Sequence, residues 1–250
     1  MKIGIVGIGS IGGTLARKLS AAGHSVAIAN SKDAKSVQAF ADEIGATAAD
    51  AKDAVAGADL IILSIPLPAV SDLPEDLFDA VPQNVPVIDT GNYYPGMRDP
   101  QIAEIDAGEV ESLWVSRQIG RPVIKAFNNI LAYSLAELGQ ARGTPGRLAI
   151  AVAGDEPAHK ALVSDIVDSI GFEPVDAGTL AESWRQQPAT PAYCCDYDAD
   201  TMRKALTQAR IGEAPKTRDH LLTQYGSLDH SPTHEDFIKL NRSANPLASM

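Results

Sequence analysis

Gly7-Ile8-Gly9-Ser10-Ile11-Gly12 lies near the start of the chain and spells G-x-G-x-x-G. The chemistry that this spacing serves is pyrophosphate binding. Gly7 permits a tight turn, Gly9 lets a phosphate approach bare backbone, and Gly12 lets the following helix pack close to the preceding strand. The free N–H groups of that helix start, with the helix dipole, then face the anion. The flanking residues supply the context that the motif needs. Lys2 to Val6 is a short apolar run that reads as a buried parallel strand. Gly13 to Ala22 reads as a helix with Leu15, Ala16 and Leu19 on one face, and Gly23 sits where a left-handed cap is wanted. Ser25 to Ala29 reads as the second strand.

The end of that second strand selects the dinucleotide. An NAD site usually places Asp or Glu there for the ribose 2′-hydroxyl. Here the tip is Asn30, Ser31 and Lys32, with Lys35 one turn on. Two hydrogen-bonding side chains and two cations suit a 2′-phosphate, so NADP is expected over NAD. Asp33 is the one nearby carboxylate.

The rest of the chain must position this site. Asp59 to Ile65 reads as a central strand, apolar on both faces, and ends in Ser64-Ile65-Pro66. Those three residues are expected to line the cofactor. Val85 to Asp89 is the next strand and leads into the polar loop Thr90 to Gly96. Pro122 to Ala126 is another, followed by Phe127-Asn128-Asn129. Strands and helices alternate to about Ala181, which predicts an α/β fold: a Rossmann-type, doubly wound, mostly parallel sheet of about eight strands. From there strand signals stop and three helical patches follow. The expected division is a dinucleotide-binding domain at 1–190 and a helical C-terminal extension at 191–250, acting as a cap or in dimerisation.

Composition narrows the partners. A net charge of −11 over 250 residues argues against nucleic acid or an anionic membrane. No apolar run reaches membrane-spanning length, and Met1 leads straight into a strand, so a cytoplasmic protein is expected, as a homodimer. Cys194 and Cys195 are adjacent and are expected to be reduced. The histidines and cysteines show no metal-ligand spacing.

Several stretches in order resemble the coenzyme F420-dependent NADP oxidoreductases. They are the G-I-G-S-I-G start, A-N-S-K at Ala29 to Lys32, S-I-P at Ser64 to Pro66, and D-T-G-N-Y-Y-P at Asp89 to Pro95. K-A-F-N-N at Lys125 to Asn129, A-G-D at Ala153 to Asp155, and D-A-G-T-L-A-E-S at Asp176 to Ser183 complete them. The resemblance runs to about Tyr193. It implies a Rossmann fold, an NADP(H) cofactor, and hydride transfer to a deazaflavin (F420) or flavin-like acceptor at the carboxyl edge of the sheet. Carried onto this chain, it puts the phosphate loop at Gly7 to Gly12, the 2′-phosphate at Asn30, Ser31, Lys32 and Lys35, and Lys125 to Asn129 beside the nicotinamide. The compact members of that family end soon after the D-A-G stretch, and this chain continues past it.

Hydride transfer between stacked rings needs no catalytic triad, and none is legible. Asn128, Asn129 and Tyr93 are the candidate catalytic groups. Tyr93 and Tyr94 could stack on an acceptor, and Trp184 and Arg185 could clamp one. Arg98, Arg117 and Arg121 read as surface charges. Two other functions fit the same residues: an NADPH-dependent reductase of a small carbonyl or imine, which needs a proton donor, and a non-enzymatic NADPH-binding sensor.

Overall fold

The structure, a computed structural model, describes residues 1–248. The chain opens with β1 (Lys2–Val6), α1 (Ser10–Ala21), β2 (Ser25–Ala29), α2 (Lys35–Ile44), β3 (Thr47–Ala48), α3 (Ala51–Val55) and β4 (Leu60–Leu63). A 3-10 turn at Leu67–Asp72 precedes β5 (Val87–Asp89), α4 (Ala103–Asp106), α5 (Glu111–Ile119) and β6 (Ile124–Lys125). Then come α6 (Ala132–Glu137), β7 (Ala149–Val152), α7 (Pro157–Ser169) and β8 (Glu173–Asp176). A second 3-10 turn at Leu180–Gln186 leads to α8 (Ala199–Gln208), α9 (Ala214–Gly226) and α10 (His234–Ala244).

Six strands form a parallel sheet in the order β3-β2-β1-β4-β5-β6. The order reverses direction at β1, so a crevice opens between the carboxyl ends of β1 and β4. Period-two alternation sends successive residues to opposite faces. Leu60 and Ile62 join Ile3, Ile5 and Leu15 in one core layer, whereas Ile61 and Leu63 join Val87 and Trp114 in the other. Each such side chain contributes about 1.5–3 kcal/mol by leaving water. This double burial is why the strands read as unbroken apolar runs.

The fold is the expected doubly wound α/β type, with a smaller main sheet. β7 and β8 form their own parallel pair. They join the main sheet by one antiparallel bridge, in which the Lys125 N–H donates to the Ala153 carbonyl at 2.8 Å and the reverse bond is 3.0 Å. The ladder stops because β6 is only two residues long and Phe127, at φ 63°, turns the chain away. Such a conformation costs a non-glycine residue about 1–2 kcal/mol.

The helices after residue 190 pack in two ways. α8 places Met202, Ala205 and Leu206 on Ala151 of β7 and Val175 of β8, in one buried cluster. α9 buries only Leu221 fully, and its Tyr225 ring meets Phe237 of α10 at 5.0 Å. α10 is tied to the segment before α8. Arg242 donates to the Cys195 carbonyl at 2.8 Å and the Asp196 carbonyl at 2.9 Å, and Asn241 donates to the Cys194 carbonyl at 3.3 Å. Both cysteines are free and buried. Among the described residues no helix is long and apolar enough to cross a membrane.

Candidate cofactor site

The β1–α1 turn is shaped by what its glycines leave out. Gly7 adopts φ +100°, and a Cβ there would meet the Ser64 carbonyl oxygen at 2.2 Å. A Cβ on Gly12 would lie 2.0 Å from the Gly7 carbonyl oxygen and 2.9 Å from Ser64 Cβ. Both positions are closed by the protein itself. Gly9 differs: a Cβ there meets nothing within 4 Å. Gly9 is also the N-cap of α1, has no side chain to cap with, and no acidic residue occupies the first turn. The orphan N–H groups of α1 therefore open onto free space with the positive end of the helix behind them. A cavity of about 380 Å³ lies beside them, lined by Ile8, Gly9, Ser10, Thr14, Arg17 and Phe40. A pyrophosphate fits that cradle, and a side chain at Gly9 would fill it.

At the tip of β2, Asn30 shapes the turn. Its Oδ1 accepts from the Lys32 N–H at 2.7 Å and from the Ser36 hydroxyl at 3.0 Å. Ser31, Lys32 and Lys35 are exposed. Lys32 and Lys35 make no ion pair among the described residues. Asp33 faces the start of α2, where its Oδ1 accepts from the Ser36 N–H at 3.1 Å.

Across the crevice, Ser64, Ile65 and Pro66 follow β4 at its carboxyl end and are part-exposed or exposed. The Thr90 hydroxyl, just past β5, donates to Ser64 Oγ at 3.1 Å and ties the two strand ends together. The residues past β6 are placed differently from the crevice wall. Lys125 is fully buried, and its Nζ donates to Asp89 Oδ2 at 3.0 Å and the Gly91 carbonyl at 2.5 Å. Asn128 donates to the Gln186 carbonyl at 2.7 Å and to Asn92 Oδ1 at 3.1 Å, and it accepts from Gln186 Nε2 at 2.9 Å. Asn129 donates to the Ala192 carbonyl at 3.2 Å. Both amides are 2% exposed. They fasten the loop to the chain that returns after β8.

The aromatic candidates are also fastened. The Tyr93 hydroxyl donates to Asp106 at 3.0 Å and accepts from the Ile102 N–H at 2.7 Å. Tyr94 has Arg98 over its ring and its hydroxyl bonded to that of Tyr193. Burial pushes both hydroxyls well above the ordinary tyrosine range. Arg185 lies over the Trp184 ring and pairs with Glu182 at 3.2 Å. Arg121 is a correction: it is buried, not a surface charge, and donates to the carbonyls of Pro82 at 2.8 Å and Val85 at 2.9 Å.

Sequence reasoning missed Glu111. It opens α5, is 5% exposed, and lies 3.8 Å from Lys125 Nζ with its Oε2 otherwise without a partner. Burial pushes its carboxyl up to about 8, against the pull of Lys125. Nothing in the local sequence separates it from an ordinary acidic residue in a first helical turn. Gln186 was missed for the same reason: its contacts lie 35 and 58 residues away, at the Ala151 carbonyl and at Asn128.

Residues 2–93 match the family described as NADP oxidoreductase, coenzyme F420-dependent. The chain is 50% identical to the protein YjhV of Escherichia coli (strain K12) over 103 residues, which is 41% of this chain and 75% of that one. Its fold superposes on the crystal structure of the hypothetical protein SMa0349 from Sinorhizobium meliloti with a TM-score of 0.61 and 30% identity, covering 75% of this chain and 89% of that one. A protein from Arthrobacter sp. FB24, assigned as an F420-dependent NADP reductase, has the same fold at a TM-score of 0.58 and 22% identity, covering 74% and 87%. The family's pattern spans the phosphate loop, the β2 tip and the ends of β4 and β5, and the chain belongs to the family of coenzyme F420-dependent NADP oxidoreductases.

Proposed function

We propose that the chain transfers a hydride between NADPH and a deazaflavin (F420) or flavin-like acceptor at the carboxyl edge of the sheet. The observation that carries the NADP choice is the β2 tip. Its carboxylate, Asp33, is engaged at the start of α2, while Lys32 and Lys35 are exposed beside Ser31 and make no ion pair among the described residues. A 2′-phosphate would be held by those cations and by hydroxyl and amide donors, whereas a bare ribose would find no carboxylate.

Each part of the site then has a task. The N–H groups from Gly9 to Gly12 would hold the pyrophosphate at the start of α1, and Ile8, Ser10 and Ile11 present that backbone. Ser64, Ile65 and Pro66 would wall the ribose and nicotinamide side, with Thr90 fixing Ser64. Asn128 positions the loop of Asn92 to Tyr94 instead of touching the acceptor, because its amide is already bonded on both sides. Bound NADPH supplies a hydride, and for that the protein has only to stack two rings and exclude water. The two free, buried thiols suit a reducing compartment, which supports the cytoplasm.

The test is NADPH oxidation by the purified protein with coenzyme F420, free flavins, quinones, carbonyls and imines in turn. Turnover with the deazaflavin or a flavin supports the reading. One observation favours a second reading, reduction of a carbonyl or imine: the bonded hydroxyls of Tyr94 and Tyr193 could supply the proton that such an acceptor needs. Turnover of carbonyls alone, lost in Tyr193→Phe, would favour it. Tight NADPH binding with no turnover of any acceptor would leave the sensor.

A further inference from the structure

α10 is fastened to the body through Asn241 and Arg242, but α9 and α10 leave a space against it. Between them lies a chamber of about 320 Å³, at the small end of the usual range for ligand pockets of about 300–1,000 Å³. Four rings line it: Tyr94 from the loop after β5, Tyr193 from the segment before α8, Tyr225 from α9 and Phe237 from α10. Leu222 of α9 adds an aliphatic wall, and Met97, 57% exposed, stands at the rim.

The chamber belongs to the same end of the sheet as the cofactor site. Tyr94 follows the carboxyl end of β5 through Thr90, which bonds to Ser64. Its inner wall is held stiffly. The segment carries Ala189 at φ 65° and Cys194 at φ 52°, and α10 clamps it through Asn241 and Arg242. A gap between packed elements is normally filled by side chains, because an unfilled apolar void forfeits contacts. Here the surrounding rings are retained at its walls instead.

Among the described residues one cation reaches the chamber. Arg218 of α9 lines it, with a side chain 22% exposed, and its one ion pair among the described residues is to Asp219, itself 71% exposed. Arg218 also lines a second cavity of about 350 Å³ that shares Pro188 with the first and contains Arg210. The two spaces therefore meet at a guanidinium, with rings on one side and, on the other, Arg210 together with the carboxyl groups of Asp106, Glu109 and Glu111.

We propose that the chamber holds the ring of the hydride acceptor: a planar fused heteroaromatic system among Tyr94, Tyr193, Tyr225 and Phe237, carrying an anionic side arm that pairs with Arg218. This rests on the hydride-transfer reading above. Aromatic walls favour a flat π-system, and a guanidinium favours a phosphate or carboxylate over a neutral arm. The C-terminal extension thereby supplies three of the four rings of the acceptor site, Tyr193, Tyr225 and Phe237, and the body supplies Tyr94 and the dinucleotide site.

The experiment is direct binding without NADPH. The fluorescence of lumiflavin (ring alone), FMN (ring with phosphate) and coenzyme F420 is titrated with the full-length protein. Leu222→Trp, which fills the chamber, should weaken all three by about tenfold or more. Arg218→Gln should weaken FMN and coenzyme F420 by about tenfold while leaving lumiflavin within about twofold. Tyr225→Leu removes one ring without adding bulk and should weaken lumiflavin several-fold. NADPH affinity and thermal midpoint should hold in Arg218→Gln and Tyr225→Leu. The proposal is overturned if the wild-type protein binds none of the three probes. It is also overturned if Leu222→Trp binds them normally, or if Arg218→Gln changes all three alike. Acceptor turnover that survives Leu222→Trp would sink the chamber while sparing the hydride-transfer reading; absence of NADPH binding by the wild-type protein would sink that reading itself.

Discussion

Glu111 Oε2 and Lys125 Nζ stand 3.8 Å apart, and the two side chains are 6% and 0% exposed. Asp89 completes the cluster at 3.0 Å from Lys125, with the Ser112 hydroxyl donating to the same carboxylate oxygen at 2.7 Å. Three ionisable groups with one cation cannot all be charged cheaply out of water. Lys125 pairs with Asp89, and Glu111 is left to hold its proton. Burial dominates its shift, so its carboxyl titrates near 8 instead of its ordinary 4.5.

The sign of the pH dependence follows. Between 4.5 and about 8 the folded chain keeps a proton on Glu111 that the unfolded chain has lost. The stability from this group is complete below the unfolded value and drains away as pH rises through the folded one. The expected slope approaches about 1.4 kcal/mol per pH unit within that window. Urea denaturation across it should show the decline, and Glu111→Gln should flatten it. A slope identical in both proteins would exclude Glu111 as its source.

Gly9 and Gly12 separate binding from folding. Gly12→Ala drives a Cβ into the Gly7 carbonyl and should lower the thermal midpoint sharply. Gly9→Ala places its Cβ in open space, so stability should change by less than about 1 kcal/mol. NADPH affinity should nevertheless fall by about tenfold or more, because that space is where the pyrophosphate would lie. Calorimetric NADPH titration beside a melting curve reads both. An unchanged affinity in Gly9→Ala would move the phosphates elsewhere.

Lys32→Asp with Ser31→Ala should reverse or erase a preference for NADPH over NADH, by at least about tenfold. The comparison is KM for the two cofactors, or Kd if no acceptor is turned over. A preference left intact would show that the β2 tip does not read the 2′-phosphate.

Asn128→Ala should act on the fold before it acts on chemistry. It removes bonds to Gln186 and Asn92 in a buried network and strands their partners, which costs about 1–3 kcal/mol. Chemical denaturation measures the loss. Full stability with turnover abolished would instead give Asn128 a catalytic contact.

Residue spacing near the start of the chain already determines the dinucleotide turn, because a glycine motif, its strand and its helix are contacts of short sequence range. The same holds for β2 and its tip, and for β4, whose apolar run follows from burial on both faces. What the tertiary structure alone decided is where long-range partners meet. Lys125 and Asn128 read as edge residues next to a ligand, yet Asp89, Glu111 and Gln186 turn them inward. The main sheet ends at six strands because Phe127 bends the chain after β6, a conformation that no propensity signals for phenylalanine. The chamber under α9 and α10 is written in rings from four separate stretches, and only folding brings those stretches together. Local periodicity encodes which face of an element is apolar; which apolar faces stay apart to leave a space depends on the packing of the whole chain.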